Sequence, residues 1–184
     1  WYEDWAGGQP LHDNVRRVQE AYPDKPIFFS EGCACPDDAA KTMKTGDWSL
    51  GEQYGREMIK DFNSGTVAWT DWNVMLDEKG GPNHVGNYCY AALHIDSKTH
   101  ALTWTDIYPY MGHFSKFVRP GARRVAVAPS RDALASTAFL NPDGTLAVVV
   151  MNGGDKAVDY RLWLRGKAAA TSAPPHSIAT FVVR

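Results

Sequence analysis

The sequence of 184 residues has only three cysteines, a net charge of −2 and no apolar run long enough to cross a membrane. Because its charge is almost balanced, the chain has no bulk attraction for nucleic acids or anionic membranes. The composition, 44% hydrophobic and 22% charged, is that of an ordinary globular protein. The length suits one domain or two small ones, so these properties bound the class of protein without indicating its activity.

The cysteines, Cys33, Cys35 and Cys89, are odd in number and cannot form a complete disulfide framework. Cys33-Ala34-Cys35 is too short for a CxxC redox or zinc motif, and no second half follows it. We therefore expect three reduced thiols, with a single disulfide as the alternative. No signal peptide is visible, but the chain starts at Trp1 without a methionine, and we expect it to be a piece of a longer protein.

Several catalytic motifs are also missing from the sequence. The six histidines include no HxxxH pair and no grouping with carboxylates at ligand spacing, so we predict no metal and no other cofactor. No glycine-rich phosphate loop and no Gly-x-Ser-x-Gly elbow is present.

Two apolar segments that end in polar groups are the most informative features of the chain. Ile27-Phe28-Phe29-Ser30 runs into Glu31-Gly32, and Thr66-Val67-Ala68-Trp69-Thr70 runs into Asp71-Trp72-Asn73. In a barrel enzyme, catalytic groups follow strands in this way, because the strand is rigid and the loop after it is open. A carboxylate beside Trp and Asn is typical of a site that cleaves sugars.

The order of the remaining elements predicts two kinds of structure. A helix over 11–21, the strand from Ile27, a helix with Tyr54, Met58 and Phe62 on one face, and the strand over 66–71 form βα units. Residues 74–90 read as a loop, 91–105 as a hairpin and 106–117 as a last helix. Beyond them, strands are predicted at 123–128, 134–140, 146–152, 158–164 and 178–183, which indicates an antiparallel β-sandwich. We place the boundary so that 1–118 and 119–184 are separate domains.

Six segments, in order along the chain, resemble glycoside hydrolase family 30, the glucosylceramidase-like family. They are Ser30–Cys33, Gly46–Trp48, Trp69–Asn73, Gly80–Asn87, Gly112–Phe117 and Asn141–Gly144. The resemblance implies the last part of a (β/α)8 TIM barrel followed by an antiparallel β-sandwich. It puts Tyr2 at the end of the sixth barrel strand, Glu31 at the seventh and Trp69–Asn73 at the eighth. The earlier barrel strands and the amino-terminal sandwich strands would then be missing.

The resemblance also implies a mechanism. Family members are retaining enzymes, which place two carboxyl groups about 5–5.5 Å apart across the scissile bond. Glu31 aligns with the family's nucleophile. The family's acid/base is a glutamate preceded by asparagine, and this sequence contains no Asn-Glu dipeptide. We expect that residue to lie on the missing part, with Asp71 in a supporting role and not as its substitute.

Other site residues follow from the same resemblance. Trp72 would stack on the sugar ring, and Asn87 and Tyr2 would line the sugar subsite, with Tyr2 donating a hydrogen bond to the nucleophile. Packing at the barrel top is the alternative for Trp72, and a surface position is the alternative for Tyr2. Asp71, Trp69 and Asn73 would support these groups from behind. For Asn83 and His84 we expect loop-structuring roles, and for His113 a structural role at the junction of the two domains.

The sequence therefore predicts a retaining β-glycosidase that acts on β-glucosides, including glucosylated lipids, and that is inactive as this isolated piece. A β-1,6-glucanase or xylan-active member of the family is one alternative, and a non-catalytic carbohydrate-binding or structural piece is another. A few barrel strands cannot close, so we expect the missing barrel part or another chain to cover the open edges. We expect no nucleic-acid partner and, by analogy with the family, a secreted, periplasmic or lysosomal location.

Overall fold

The structure is a computed structural model that describes residues 12–35, 48–82, 86, 88–130 and 132–184, together with the backbone of residues 3–4 and 9–10. These residues form two compact units. The first unit comprises Trp1–Gly51 and Lys60–Pro109, and the second comprises Glu52–Ile59 and Tyr110–Arg184. Each unit thus contains two stretches of chain, and the predicted division at residue 119 stays a prediction. No helix in the described ranges is long and apolar enough to span a membrane.

The first unit contains two helix–strand repeats, as the sequence predicts, after a short strand pair that it does not predict; the middle of the second helix, Glu52–Ile59, belongs to the second unit. Strands β1 (Glu3–Asp4) and β2 (Gln9–Pro10) pair antiparallel, and helix α1 (His12–Ala21), strand β3 (Ile27–Gly32), helix α2 (Trp48–Asn63) and strand β4 (Thr66–Asp71) follow. Strands β3 and β4 are parallel neighbours, which is the pairing of a βα unit. Gly65, at φ +111°, supplies the left-handed turn between α2 and β4.

A three-stranded sheet completes the first unit. Strands β6 (Leu93–Ile95) and β7 (Leu102–Trp104) form the predicted hairpin, and β5 (Met75–Asp77) pairs parallel with β6. The prediction that 74–90 is entirely loop is therefore wrong at β5. This strand is only three residues long and only Leu76 is buried, so it has no alternation to recognise.

A buried histidine ties β5 to β6. The Nε2 atom of His94 accepts a hydrogen bond from the Ala91 backbone N–H at 3.1 Å, so the ring proton sits on Nδ1. Nδ1–H then donates to the Asp77 carbonyl oxygen at 2.7 Å. His94 is 1% exposed, and both ring nitrogens are satisfied by backbone groups. It therefore has a structural role that its position in the sequence does not indicate.

The second unit contains the predicted helix and strands. Helix α3 is Ile107–Ser115; the strands are β8 (Arg123–Val125), β9 (Ala135–Leu140), β10 (Leu146–Asn152), β11 (Val158–Leu164), β12 (Lys167–Ala173) and β13 (Ser177–Val183). One antiparallel sheet has the order β13-β10-β9-β8, and β11 pairs with β12. Strand β12 is missing from the prediction because its sequence, Lys-Ala-Ala-Ala-Thr-Ser-Ala, lacks large apolar residues. The two-residue turn at Arg165 and Gly166, at φ +50° and +77°, sets its register.

The core of the second unit lies between these two sheets. Ala138, Val148 and Val150 form a buried cluster on the four-stranded sheet, and Tyr160 and Leu162 of β11 pack against it. Strand β10 is buried on both faces, with six of its seven residues inaccessible. On its second face Met151 lies beside Tyr110 of α3 and Gly55 of α2, where a β-carbon on Gly55 would approach the sulfur to 2.9 Å. This layered antiparallel arrangement is a β-sandwich.

Candidate active site

The candidate nucleophile lies where the pairing of β3 with β4 is irregular. Phe29 pairs with Trp69 and Gly32 with Asp71, so Ser30 and Glu31 stand opposite the single residue Thr70. A bulge of this kind leaves one residue unpaired and turns its side chain away from the regular alternation. Glu31 is half-buried, and it is followed by a loop at the carboxyl edge of both strands. The backbone register thus places Glu31 at the carboxyl edge of the strands, where barrel sites are found.

Trp69 packs against both ends of this bulge. Its ring stacks on Phe29 with centroids 5.0 Å apart and planes inclined by 18°. Its six-membered ring also covers the α-carbon of Gly32 so closely that a β-carbon there would overlap it. Position 32 therefore requires glycine, because any side chain there would clash with the indole of Trp69.

A carboxylate also bonds the indole of Trp69. Its Nε1–H donates to Oδ2 of Asp61 at 2.8 Å, and Oδ1 of Asp61 lies 3.3 Å from Nε2 of His12. The Asp61 side chain is 1% exposed. Asp61 is absent from the predicted site because the apolar residues Tyr54, Met58 and Phe62 define the predicted helix face. A charged residue seven positions after Tyr54, on the same helical face, is the signal that could have found it.

Asp71 and Trp72 hold the end of β4 beside the end of β3. The Trp72 N–H donates to the Gly32 carbonyl at 2.7 Å and to Oδ1 of Asp71 at 3.0 Å. Trp72 is half-buried and packs against a cluster formed by Leu76, Cys89 and Ala91. Asn73 is half-buried in the segment that leads to β5. The structure therefore brings Asp71, Trp72 and Asn73 to the same edge as Glu31, as the strand order predicts.

A disulfide joins Cys35 to Cys89, so the expectation of three reduced thiols is wrong. Residue spacing alone could not reveal this pairing, because the two cysteines are brought together by an antiparallel bridge between Ala34 and Tyr90. Cys89 is buried in the same cluster that supports Trp72. The crosslink thus fastens the segment after Glu31 to the segment after β5. Cys33 is not part of a disulfide.

The remaining predicted positions divide into two groups. Tyr2, Asn83, His84 and Asn87 lie outside the described residues. His113 lies in α3, where its Nδ1 contacts the Thr180 hydroxyl at 3.0 Å and that hydroxyl donates to the His113 carbonyl at 3.2 Å. Burial lowers the pKa of His113. These contacts fit the structural role expected for this histidine. Among the described residues, no three His, Cys, Asp or Glu side chains cluster at metal-binding distance.

Two family models match the chain. The Glycosyl hydrolase family 30 TIM-barrel domain matches residues 1–118, and the Glycosyl hydrolase family 30 beta sandwich domain matches residues 121–181. The chain belongs to glycosyl hydrolase family 30. The family resemblance and the predicted fold class, part of a TIM barrel followed by an antiparallel β-sandwich, are confirmed.

Individual relatives agree with this assignment. The lysosomal acid glucosylceramidase of Mus musculus is 31% identical over 186 residues, which is 100% of this chain and 36% of the mouse protein. The crystal structure of SrfJ from Salmonella typhimurium superposes with a TM-score of 0.89 at 31% identity, covering 98% of this chain and 39% of SrfJ. The endo-beta1,6-glucanase BT3312 superposes with a TM-score of 0.81 at 25% identity, covering 93% of this chain and 38% of that enzyme. The chain thus spans little more than a third of each relative's length.

Proposed function

We propose that the chain is the carboxyl-terminal part of a retaining β-glycosidase that hydrolyses β-glucosides, with glucosylated lipids among its substrates. The observation that carries this proposal is the bulge at the end of β3, where Glu31 lies beside the end of β4. Membership of a family of glycosyl hydrolases supports it. Similarity to a protein named lysosomal acid glucosylceramidase supports the choice of substrate.

The proposed reaction has two steps. In the first, a Glu31 carboxylate oxygen bonds to the anomeric carbon while a second carboxylic acid protonates the departing oxygen, which gives a glycosyl ester on Glu31. In the second, that other carboxylate removes a proton from water, the water oxygen bonds to the anomeric carbon, and Glu31 leaves. The second carboxyl group belongs to a part of the protein outside this chain, so the isolated chain is expected to be inactive.

The other site residues have proposed roles in binding and support. We assign Trp72 to stacking on the sugar and Asn87 and Tyr2 to the lining of the sugar subsite, with Tyr2 also donating a hydrogen bond to the Glu31 carboxylate. The contacts of Trp72 with the disulfide cluster would hold its ring in one orientation, which suits a stacking surface. Asp71, Trp69 and Asn73 would fix the strand ends from behind, and the bond from Trp72 N–H to Asp71 is an example.

Hydrolysis of a chromogenic β-glucoside by the full-length protein tests the role of Glu31. Glu31→Gln should reduce kcat at least 10³-fold, on the order expected when a covalent nucleophile is lost. Glu31→Ala with added azide should regain turnover and form a glycosyl azide of inverted anomeric configuration, because azide attacks from the vacated side. Glu20→Gln, on the exposed surface of α1, is the matched control and should leave activity unchanged. Wild-type activity in Glu31→Gln would refute the role of Glu31, and a wild-type protein that binds the sugar without hydrolysing any β-glucoside would favour a non-catalytic carbohydrate-binding or structural role.

A second candidate substrate is β-1,6-glucan, because relatives named as endo-1,6-glucanases cover most of the chain. Competing the full-length protein with glucosylceramide and β-1,6-glucan distinguishes the two. Glucosylceramide turnover with the higher kcat/KM is the expected result, and a preference for the glucan would select the alternative. The structural relatives named as xylanases are 17–19% identical, so they support the shared fold alone.

The cellular location and covering partner are also proposals. A disulfide persists in oxidising compartments, so the Cys35–Cys89 bond supports a secreted, periplasmic or lysosomal protein. Phe28 and Val67, on β3 and β4, are 55% and 63% exposed, which supports cover by the missing barrel part or another chain. A monodisperse monomer of this chain with cooperative melting would contradict that requirement for cover.

A further inference from the structure

One indole ring touches both ends of the bulge that carries the proposed nucleophile. Phe29 and Gly32 are the residues at which β3 is in register with β4 on either side of Ser30 and Glu31. Trp69 stacks on the first of them and lies directly on the α-carbon of the second. The backbone N–H of Trp72 also donates a hydrogen bond to the Gly32 carbonyl. A rotation of the indole would therefore displace Gly32 and change where the Glu31 carboxylate points.

The orientation of that indole is fixed by Asp61 in the last turns of α2. A charge-assisted hydrogen bond, at 2.8 Å, joins Nε1–H to a carboxylate that is 1% exposed. Bonds of this kind are stronger than neutral ones and gain further in a poorly solvated site. The other carboxylate oxygen lies 3.3 Å from Nε2 of His12. The ring is thus fixed by its N–H as well as by its face.

We propose that Asp61 is a positioning residue for the nucleophile, because it locks the indole of Trp69 and that indole holds the bulge presenting Glu31. This inference rests on the proposed function, since it requires Glu31 to react. Asp61 itself does not touch the substrate. Misplacing a reacting group by about 1 Å can cost as much as 10²-fold in rate, whereas contacts that only bind the sugar are unaffected. Loss of Asp61 should therefore lower kcat and leave KM nearly constant.

The test measures how fast a 2-deoxy-2-fluoro glycosyl fluoride forms an ester with Glu31 in the full-length protein. Asp61→Leu removes the acceptor, Trp69→Phe removes the donor and keeps an aromatic ring, and Asp61→Asn keeps one acceptor oxygen without the charge. Asn141→Leu is the matched control for lost stability. Asn141 is a buried residue of the second unit whose side chain bonds the Phe117 carbonyl and the Arg119 N–H. Melting temperature is recorded for each variant, and labelling is measured well below it.

Asp61→Leu and Trp69→Phe should each slow labelling roughly 30-fold, within the range for a misplaced group. The double variant should be no slower than Trp69→Phe, because both changes remove the same bond. Asp61→Asn should recover most of the rate, and Asn141→Leu should lose stability while labelling at the wild-type rate. If Asp61→Leu does not fold, Asp61→Asn and Trp69→Phe still supply the comparison, with Asp61→Asn labelling faster than Trp69→Phe.

Three outcomes overturn the inference. Labelling of folded Asp61→Leu or Trp69→Phe at the wild-type rate means that the bond does not position Glu31. Slowing in Asn141→Leu equal to that in the Asp61 variants means that general destabilisation is the cause. Labelling of the wild-type protein at a residue other than Glu31 overturns the proposed function and this inference with it. The first two outcomes leave the proposed function intact, so the failures are distinguishable.

Discussion

Strands β3 and β10 are both apolar, yet they differ in how they pair. Strand β10 is in antiparallel register with β13 along all seven residues and with β9 along six, and it is buried on both faces. Strand β3 pairs with β4 through two register shifts, and Phe28 remains 55% exposed. The regular ladder of β10 pairs six of its seven residues on both sides and stabilises the sandwich. The irregular ladder of β3 sets Ser30 and Glu31 opposite the single residue Thr70, so the candidate nucleophile lies where regular pairing is interrupted.

The disulfide gives the largest expected effect, because it fastens the irregular region covalently. Cys35→Ala/Cys89→Ala opens a loop with a sequence separation of 54 residues. The loss of unfolding free energy should be about 2–4 kcal/mol, since the crosslink restricts the unfolded chain. Urea denaturation of the full-length protein measures it. The Cys33→Ala control should change stability by less than about 1 kcal/mol. Equal losses in the two variants would mean that the crosslink is not what holds this edge.

Gly32→Ala adds a methyl group to β3 where the strand contacts the Trp69 ring. A β-carbon there overlaps the Trp69 ring, which is fixed by Asp61 and cannot move away easily. Overpacking of this kind costs about 1–3 kcal/mol, and it should also slow labelling of Glu31. Gly112→Ala in α3 is the matched control, because a β-carbon at this position would meet no other described segment within 4 Å. It should stabilise the protein by up to about 1 kcal/mol, as alanine favours helices. Gly32→Ala with wild-type melting and labelling would refute the steric account.

A pair of valine truncations compares β10 with β4, the strand that pairs with β3. Val149 in β10 is 0% exposed, and Val149→Ala should cost about 2 kcal/mol wherever it is measured. Val67 in β4 is 63% exposed here, so Val67→Ala reports whether another part of the full-length protein covers it. We expect a loss of about 1 kcal/mol or more in the full-length protein, as for a covered apolar residue. A change within about 0.5 kcal/mol would mean that this edge stays open to water.

The smallest expected effect is a pH dependence of stability that arises in the second unit. His176 bonds the Glu52 carboxylate at 2.7 Å and the Asp155 carboxylate at 2.9 Å. These bonds, to Glu52 first and Asp155 second, raise the pKa of His176 above 6.5. A raised pKa means that its stabilisation is fully present below pH 6.5 and is lost as the pH rises through the folded-state pKa.

His176→Asn is the suitable variant, because Asn tolerates the positive φ of 49° at this position. The difference in unfolding free energy between wild type and variant should be largest near about pH 5.5 and should shrink toward about pH 9. The effect of His113 on stability has the opposite dependence on pH, because burial lowers its pKa and the folded state loses stability as the pH falls below 6.5. His113→Gln should make that loss smaller. A difference for His176→Asn that is constant across this range would show that its ion pairs do not contribute.

The sequence predicts the elements whose ends have strong turn chemistry. Helix α2 ends at Asn63-Ser64-Gly65 and β10 lies between two Gly-containing turns, and both lie where the sequence predicts them. Strands β5 and β12 are not predicted, because one is too short and the other too alanine-rich for alternation to be visible. Local pattern is thus sufficient where turn residues bound a clearly apolar or helical segment, and insufficient where only pairing defines the strand.

The sequence predicts where the candidate site lies, but not the contacts that hold its residues in place. A run of apolar residues that ends at Glu31 indicates a strand-end carboxylate without any knowledge of its neighbours. The bulge, the Cys35–Cys89 bond and the contact between Asp61 and Trp69 all depend on which segments meet in space. No spacing rule within one segment encodes such meetings, so they emerge only from the folded arrangement.

Mass mapping of the covalent intermediate tests the central claim most directly. The full-length protein is incubated with a 2-deoxy-2-fluoro glycosyl fluoride, digested, and searched for the peptide that has gained the sugar. The account predicts a single ester on Glu31. A modified carboxylate at any other position, in a protein that turns over the substrate, would contradict it.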